Sequence, residues 1–272
     1  MNKSLREMEE KIKLVDAVIY VLDARAPFSC INPAFGKIIA DKPVIYILNK
    51  ADTVCETDLL PWVEKLSAGN AKAVRMNSTA SGASKIIADK LFLLCKDKIE
   101  RKKARGINTV IRAMVIGVPN SGKSTLINNL CGKAKTVTGN RAGVTRAQQW
   151  VRISPYLEVL DTPGTLYPKL DDQRLALNLA FIGSIRDEVV DTYELALELI
   201  KKLFSESDAL QKRYGIPLCG NAAEDLSAIA LKRGLLIKGG QPDGDRAAAA
   251  IIDDFRKGRM GKVMLEKAGE YK

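Results

Sequence analysis

Gly117-Val118-Pro119-Asn120-Ser121-Gly122-Lys123-Ser124 has the G-x-x-x-x-G-K-[ST] spacing of a phosphate-binding loop. It follows the apolar run Ala113-Met114-Val115-Ile116, which reads as a buried strand. It precedes Thr125-Leu126-Ile127-Asn128-Asn129-Leu130, which reads as the start of a helix. Glycine lets a backbone close round an anion where a Cβ would intrude. The amides of Ser121, Gly122, Lys123, Ser124 and Thr125 then face the phosphates, and the helix dipole favours negative charge there. Lys123 is placed to reach the β- and γ-phosphates, and Ser124 to give its hydroxyl to Mg2+. Strand, loop and helix in this order set the class as α/β.

Two further motifs leave strand-like runs. Tyr156-Leu157-Glu158-Val159-Leu160 leads into Asp161-Thr162-Pro163-Gly164. An Asp at that strand end is where a P-loop NTPase holds its Mg2+, and Gly164 is expected to bring its amide to the γ-phosphate. Pro43-Val44-Ile45-Tyr46-Ile47-Leu48 leads into Asn49-Lys50-Ala51-Asp52. The Asp52 carboxylate can accept from the ring N–H and the exocyclic amine of guanine. Adenine offers no such pair, and an unpartnered carboxylate costs about 1–3 kcal/mol or more. Asn49 is expected to hold the other base edge and to tie this loop to the phosphate loop, with the Lys50 stem against the base face. Ser78-Thr79-Ala80, after the short strand Ala73-Val74-Arg75-Met76, can add a backbone amide to the guanine carbonyl.

The base motif precedes the phosphate loop, the reverse of the usual order. In an open parallel α/β sheet, ligands bind at the carboxyl ends of the strands. All these motifs leave strands at that end, so a permuted connection builds the same pocket. The chain resembles a circularly permuted GTPase of the bacterial ribosome biogenesis GTPase A family. The similarity is carried by those motifs together with Asp23-Ala24-Arg25-Ala26-Pro27, Gly139-Asn140-Arg141-Ala142-Gly143-Val144-Thr145, Lys232-Arg233-Gly234 and Gly239-Gly240.

The resemblance implies GTP hydrolysis coupled to late assembly of the large ribosomal subunit. It makes Thr145 the switch threonine that joins Mg2+ in the GTP state. It makes Asn120 the asparagine that helps potassium-dependent relatives hold K+ beside the phosphates. After Gly164 stands Thr165, where many GTPases carry a water-orienting Gln; the family generally has an apolar residue there. The family also opens with a short aromatic-Pro-Gly-His segment whose His is proposed to position the attacking water. This chain contains no histidine, and Met1-Asn2-Lys3 aligns just after that position. Either the start lies upstream of Met1 or the group has been lost. No residue is assigned the catalytic role, and slow hydrolysis by this chain is expected.

Composition agrees with that reading. Apolar residues make up 46% of 272, typical of a globular protein with ample core. There is no charged-then-apolar leader, and no apolar stretch approaches a membrane span. The five cysteines are scattered without C-x-x-C spacing, and with no histidine a zinc site is not indicated. Reduced thiols suit the cytoplasm. The net charge of +11 exceeds what a nucleotide site needs and suits a phosphate-rich polymer. Lys96, Lys98, Arg101, Lys102, Lys103 and Arg105 crowd the end of a helix read from about Ser84. Lys232, Arg233, Lys238, Arg246, Arg256, Lys257, Arg259 and Lys262 mark the C-terminal part. The expected mode is recognition of structured rRNA by shape and phosphate.

The expected organisation is a nucleotide domain over 1–170, a mostly parallel sheet with helices on both faces, then a small all-α, ribosome-binding domain over 171–272. Val15 to Leu22 reads as the first strand. Trp150–Ile153 and Tyr156–Leu160 read as a hairpin turning at Ser154-Pro155. Leu175–Phe181, Tyr193–Phe204, Ala222–Lys232 and Arg246–Phe255 read as helices. The chain is expected to act as a cytoplasmic monomer whose partners are GTP, GDP and the large-subunit precursor with its rRNA, and not DNA or a membrane. Two alternatives stay open. One is a GTP-gated RNA-binding assembly factor with little hydrolysis of its own. The other is a small-subunit assembly GTPase, a group that normally adds an OB-fold and a Cys/His zinc domain.

Overall fold

A computed structural model of the chain describes residues 3–80, 82–132, 149–166 and 172–271. Its centre is a six-stranded sheet of β1 (Ala17–Asp23), β2 (Val44–Asn49), β3 (Ala71–Arg75), β4 (Ile111–Ile116), β5 (Gln149–Ser154) and β6 (Leu157–Asp161). The strand order is β3-β2-β1-β4-β6-β5. All neighbours are parallel except β5, which pairs antiparallel with β6. The expected hairpin is present, with its turn at Pro155-Tyr156.

Strand residues alternate between two apolar layers, as the two-residue side-chain period requires. Val18, Tyr20 and Leu22 of β1 face one layer, and Ala17, Ile19 and Val21 face the other. The second layer is closed by α4 (Ala83–Leu94) and α6 (Lys123–Leu130) through Ile87, Leu91, Leu126 and Ile127. The first is closed by α1 (Lys3–Lys11), α2 (Pro33–Ile39) and α3 (Glu56–Leu66), with Met8, Phe35, Leu59 and Trp62 buried. That layer runs on into α7 (Gln173–Phe181), α8 (Thr192–Glu206), α9 (Ala209–Tyr214), α10 (Ala222–Lys232) and α11 (Gly244–Arg256). Asp172, Asp191, Asn221 and Asp243 cap four of these helices by accepting from first-turn amides.

Two expectations need correction. The first strand begins two residues later than read, at Ala17. Val15 instead closes the preceding turn, its amide donating to the Ile12 carbonyl. The helix read from Ser84 is two helices, α4 and α5 (Lys96–Lys103), which meet at Cys95 with φ −100° and ψ 13°. The basic run therefore lies on α5 and the turn after it. The sequence reading also passed over α1, α2, α3 and α9. The expected domain boundary at 170 and the switch stretch around Thr145 lie outside the described residues.

The chain after α11 returns to the first half. The amides of Val263 and Leu265 donate to the Thr53 and Arg25 carbonyls at 2.9 and 2.8 Å. The buried Glu266 carboxylate accepts from the Phe28 and Ser29 amides, the Ser29 hydroxyl and Asn178 Nδ2. Burial pushes the Glu266 pKa up, against those donors.

Candidate guanine-nucleotide site

The phosphate loop leaves the carboxyl end of β4 and the base motif leaves that of β2, on either side of β1. Asn49 joins them. Its Nδ2 donates to the Ser121 carbonyl at 2.7 Å, and its Oδ1 accepts from the Ser78 amide at 2.8 Å. One buried side chain thus spans base motif, phosphate loop and the Ser78 turn. Asn129 of α6 holds that turn from the other side, donating to the Ser78 and Ala80 carbonyls at 2.8 and 3.0 Å. The Ser78, Thr79 and Ala80 amides all donate within the protein, to Asn49 Oδ1, Asn77 Oδ1 and the Asn77 carbonyl. Here the Ser78 amide fixes Asn49.

Backbone conformation explains the glycines. Gly122 has φ 99°, and a Cβ there would stand 2.1 Å from Asn49 Nδ2. Gly117 has φ 148°, and its Cβ would meet the Val21 carbonyl oxygen at 2.3 Å. A Cβ on Gly164 would meet Pro119 Cα at 2.6 Å, so the Asp161 motif packs directly on the phosphate loop. Lys50 and Asn120 take left-handed conformations with φ 59° and 58°, which a non-glycine residue adopts only when its surroundings hold it there. Asn120 is held by Nδ2 donating to the Gly183 carbonyl at 2.6 Å, and Ser184 Oγ donates to the Pro119 carbonyl at 2.7 Å. The turn after α7 therefore buttresses the phosphate loop, a contact the sequence reading did not anticipate.

The electrostatics describe a site built for more charge than the protein supplies. Lys123 is buried and folds back, Nζ donating to the Gly117 and Val118 carbonyls at 3.1 and 2.8 Å. Burial lowers its pKa to about 8, with Asp161 opposing. The Asp161 carboxylate is buried, and neither oxygen has a hydrogen-bond partner among the described residues. Burial raises its pKa to about 6 despite Lys123. Buried polar groups are almost always paired. An orphaned carboxylate beside a phosphate loop has the donor chemistry of a Mg2+ holder, directly or through water. Ser121 Oγ and Ser78 Oγ are likewise buried and unpartnered.

A stability prediction follows. A raised folded-state pKa means ionised Asp161 costs stability above about pH 6 and nothing below the ordinary carboxylate range. Asp161→Asn should therefore stabilise the nucleotide-free protein at pH 7.5 by about 1–2 kcal/mol. The gain should shrink as pH falls through about 6, while Mg2+-dependent nucleotide binding is lost. Thermal melts at both pH values, with and without Mg2+-GDP, measure this. A destabilised Asp161→Asn protein at pH 7.5 would contradict it.

Comparison with known proteins agrees with this architecture. A family model described as 50S ribosome-binding GTPase matches residues 112–214. The match opens at β4 and holds the phosphate loop and the Asp161 motif, while the base motif lies before it, as permutation requires. The chain is 38% identical to the ribosome biogenesis GTPase A of Bacillus cereus over 276 residues, covering 100% of this chain and 93% of that one. The crystal structure of GNP-bound YlqF from T. maritima superposes with a TM-score of 0.69 at 28% identity, covering 98% of this chain and 99% of that one. The GDP-bound form also gives 0.69, at 29% identity over 96% and 99%. This chain belongs to the ribosome biogenesis GTPase A family, with a circularly permuted P-loop GTPase fold.

Proposed function

We propose that this chain binds GTP and GDP between Asn49-Lys50-Ala51-Asp52 and Gly117–Ser124, hydrolyses GTP, and acts in assembly of the large ribosomal subunit. The observation that carries the proposal is the Asn49 clasp, which ties a base-reading motif to a phosphate loop across the permutation. Asp52 reads the guanine edge and the Lys50 stem covers the base. Ser121, Gly122, Lys123, Ser124 and Thr125 cradle the phosphates, and Gly164 approaches the γ-phosphate. Ser124, Asp161 and Thr145 are the proposed Mg2+ holders, and Asn120 the proposed K+ contact. Held there, Mg2+ would neutralise charge developing on the phosphates. The chain's own residues fix the ends of the nucleotide and exclude other bases.

We assign 1–170 to nucleotide chemistry and 171–272 to the ribosomal contact. The partner is the precursor particle and its rRNA, met in the cytoplasm by a monomer. The +11 charge supports a phosphate-rich partner. Among the described residues no helix is long and apolar enough to cross a membrane. Sedimentation with purified large subunits over a salt series tests this: association should fall steeply as salt rises. Salt-insensitive association would overturn the phosphate-contact reading.

One observation favours the reading with little intrinsic hydrolysis. The Thr165 hydroxyl donates to the Pro163 carbonyl at 3.2 Å and its amide to the Gly117 carbonyl at 3.2 Å. The side chain that replaces Gln is thus turned onto its own backbone, and no histidine exists in the chain. Subunit-stimulated GTP turnover should be slow for the 272-residue chain and should rise about 10²-fold or more when the family's Pro-Gly-His segment is placed before Met1. Fast stimulated turnover without it would show that another group, such as one from rRNA, positions the water.

A further inference from the structure

The Asp23-Ala24-Arg25 motif belongs to no phosphate or base contact named above, yet it lies at the end of β1, between the two nucleotide loops. The Asp23 carboxylate is fully buried and receives two cations. Arg25 Nε and Nη2 donate to it at 2.9 and 2.7 Å, and Lys50 Nζ lies 2.8 Å from Oδ2. Burial alone would raise the Asp23 pKa, but Arg25 and Lys50 outweigh it and hold it far below the usual carboxylate range. Lys50 is the left-handed residue of the base motif, and this ion pair fixes the direction of its stem.

The far side of Arg25 meets the end of α11. Nη1 donates to the Phe255 carbonyl at 2.8 Å and to that of Arg256 at 3.4 Å, and the guanidinium lies 4.9 Å from the Phe255 ring centroid. A cation at these last carbonyls is favourable for a helix. Just beyond, Gly258 packs on Thr53, and Val263 donates to the Thr53 carbonyl. Arg256 reaches back to the phosphate side. It donates to the Ala180 carbonyl at 2.9 Å and pairs with Asp187 at 2.8 Å, flanking the Gly183-Ser184 turn that braces Asn120 and Pro119.

We propose that Asp23 and Arg25 are positioning residues that couple the guanine pocket to the end of α11 and the segment 257–265. Asp23 holds Lys50 against the base, and Arg25 passes that constraint to the α11 terminus. The inference rests on the guanine-nucleotide reading of the site. Coupling is reciprocal: a bound base steadies the C-terminal segment, and a steadied segment tightens the pocket. A base-side link acts equally on GDP and GTP, unlike a switch that senses the γ-phosphate.

The test is amide hydrogen exchange over 255–265 with and without saturating GDP, together with GDP and GTP affinities. In the wild type, GDP should slow exchange in this segment about tenfold, a typical coupling. Lys50→Met changes a partly exposed side chain and leaves the buried pair intact. It should weaken GDP and GTP by similar factors, and at saturating GDP the slowing should vanish. Asp23→Asn should weaken binding comparably, and adding Lys50→Met to it should weaken binding no further, because both cut one link. A merely structural role for Asp23 would make the two changes additive and leave the GDP-dependent slowing in Lys50→Met. Either result overturns the inference, and Lys50→Met alone decides it should Asp23→Asn fail to fold. A wild type that binds no guanine nucleotide overturns the site reading itself. A wild type that binds GDP without slowing exchange at 255–265 overturns only the coupling.

Discussion

Gly122→Ala should abolish micromolar binding of GDP and GTP alike while leaving the fold intact. The new methyl would stand 2.1 Å from Asn49 Nδ2 at a backbone φ of 99°. A side chain in that region costs about 1–3 kcal/mol in strain. The larger loss is the clasp. Asn49 must swing away from the Ser121 carbonyl, and its second bond, from the Ser78 amide, goes with it. Base and phosphate halves then lose their common register, and affinity should drop at least about a hundredfold for roughly 3 kcal/mol. Gly36→Ala is the control. Gly36 sits in α2 with nothing within 4 Å of its Cβ direction and no positive φ, so alanine should add about 0.5–1 kcal/mol of stability and leave binding unchanged. Isothermal titration with GDP and thermal melts compare them. Tight GDP binding by Gly122→Ala would show that the clasp is dispensable.

Asp52→Asn should exchange guanine for xanthine preference. The carboxylate accepts from two donors on guanine. An amide offers one donor and one acceptor, which suits the 2-oxo group of xanthine and misfits the 2-amino group of guanine. A charge-assisted pair is worth about 1.5–3 kcal/mol, so the GDP-to-XDP preference should shift by about 10²-fold or more. Phosphate contacts are untouched, and the variant should bind XDP with near wild-type strength. Unchanged GDP affinity would place the base elsewhere.

The phosphate loop, the order of the motifs and most strands were legible in the sequence because each rests on a local pattern: G-x-x-x-x-G-K-S, an Asp after an apolar run, the unbroken apolar run along β1. The Asn49 tie to the phosphate loop was legible for the same reason, since both loops leave parallel strands at one end. What stayed hidden is tertiary. Arg25 and Phe255 are 230 positions apart, and no periodicity marks the pairing. Glu266, which no sequence motif marks, is a buried acceptor for Phe28 and Ser29. The break at Cys95 escaped because α4 and α5 carry helix-favouring residues on both sides of it. The roles of Gly183 and Ser184 behind the phosphate loop required the path of α7, which the sequence does not give.

The account stands on the base motif and phosphate loop forming one guanine-specific pocket across the permutation. The most direct measurement is competition of unlabelled GDP and ADP against a fluorescent guanine nucleotide on the wild-type chain with Mg2+. GDP should displace it at least about a hundredfold more effectively than ADP, the margin of roughly 3 kcal/mol expected from Asp52. Equal displacement by ADP would contradict the pocket as described.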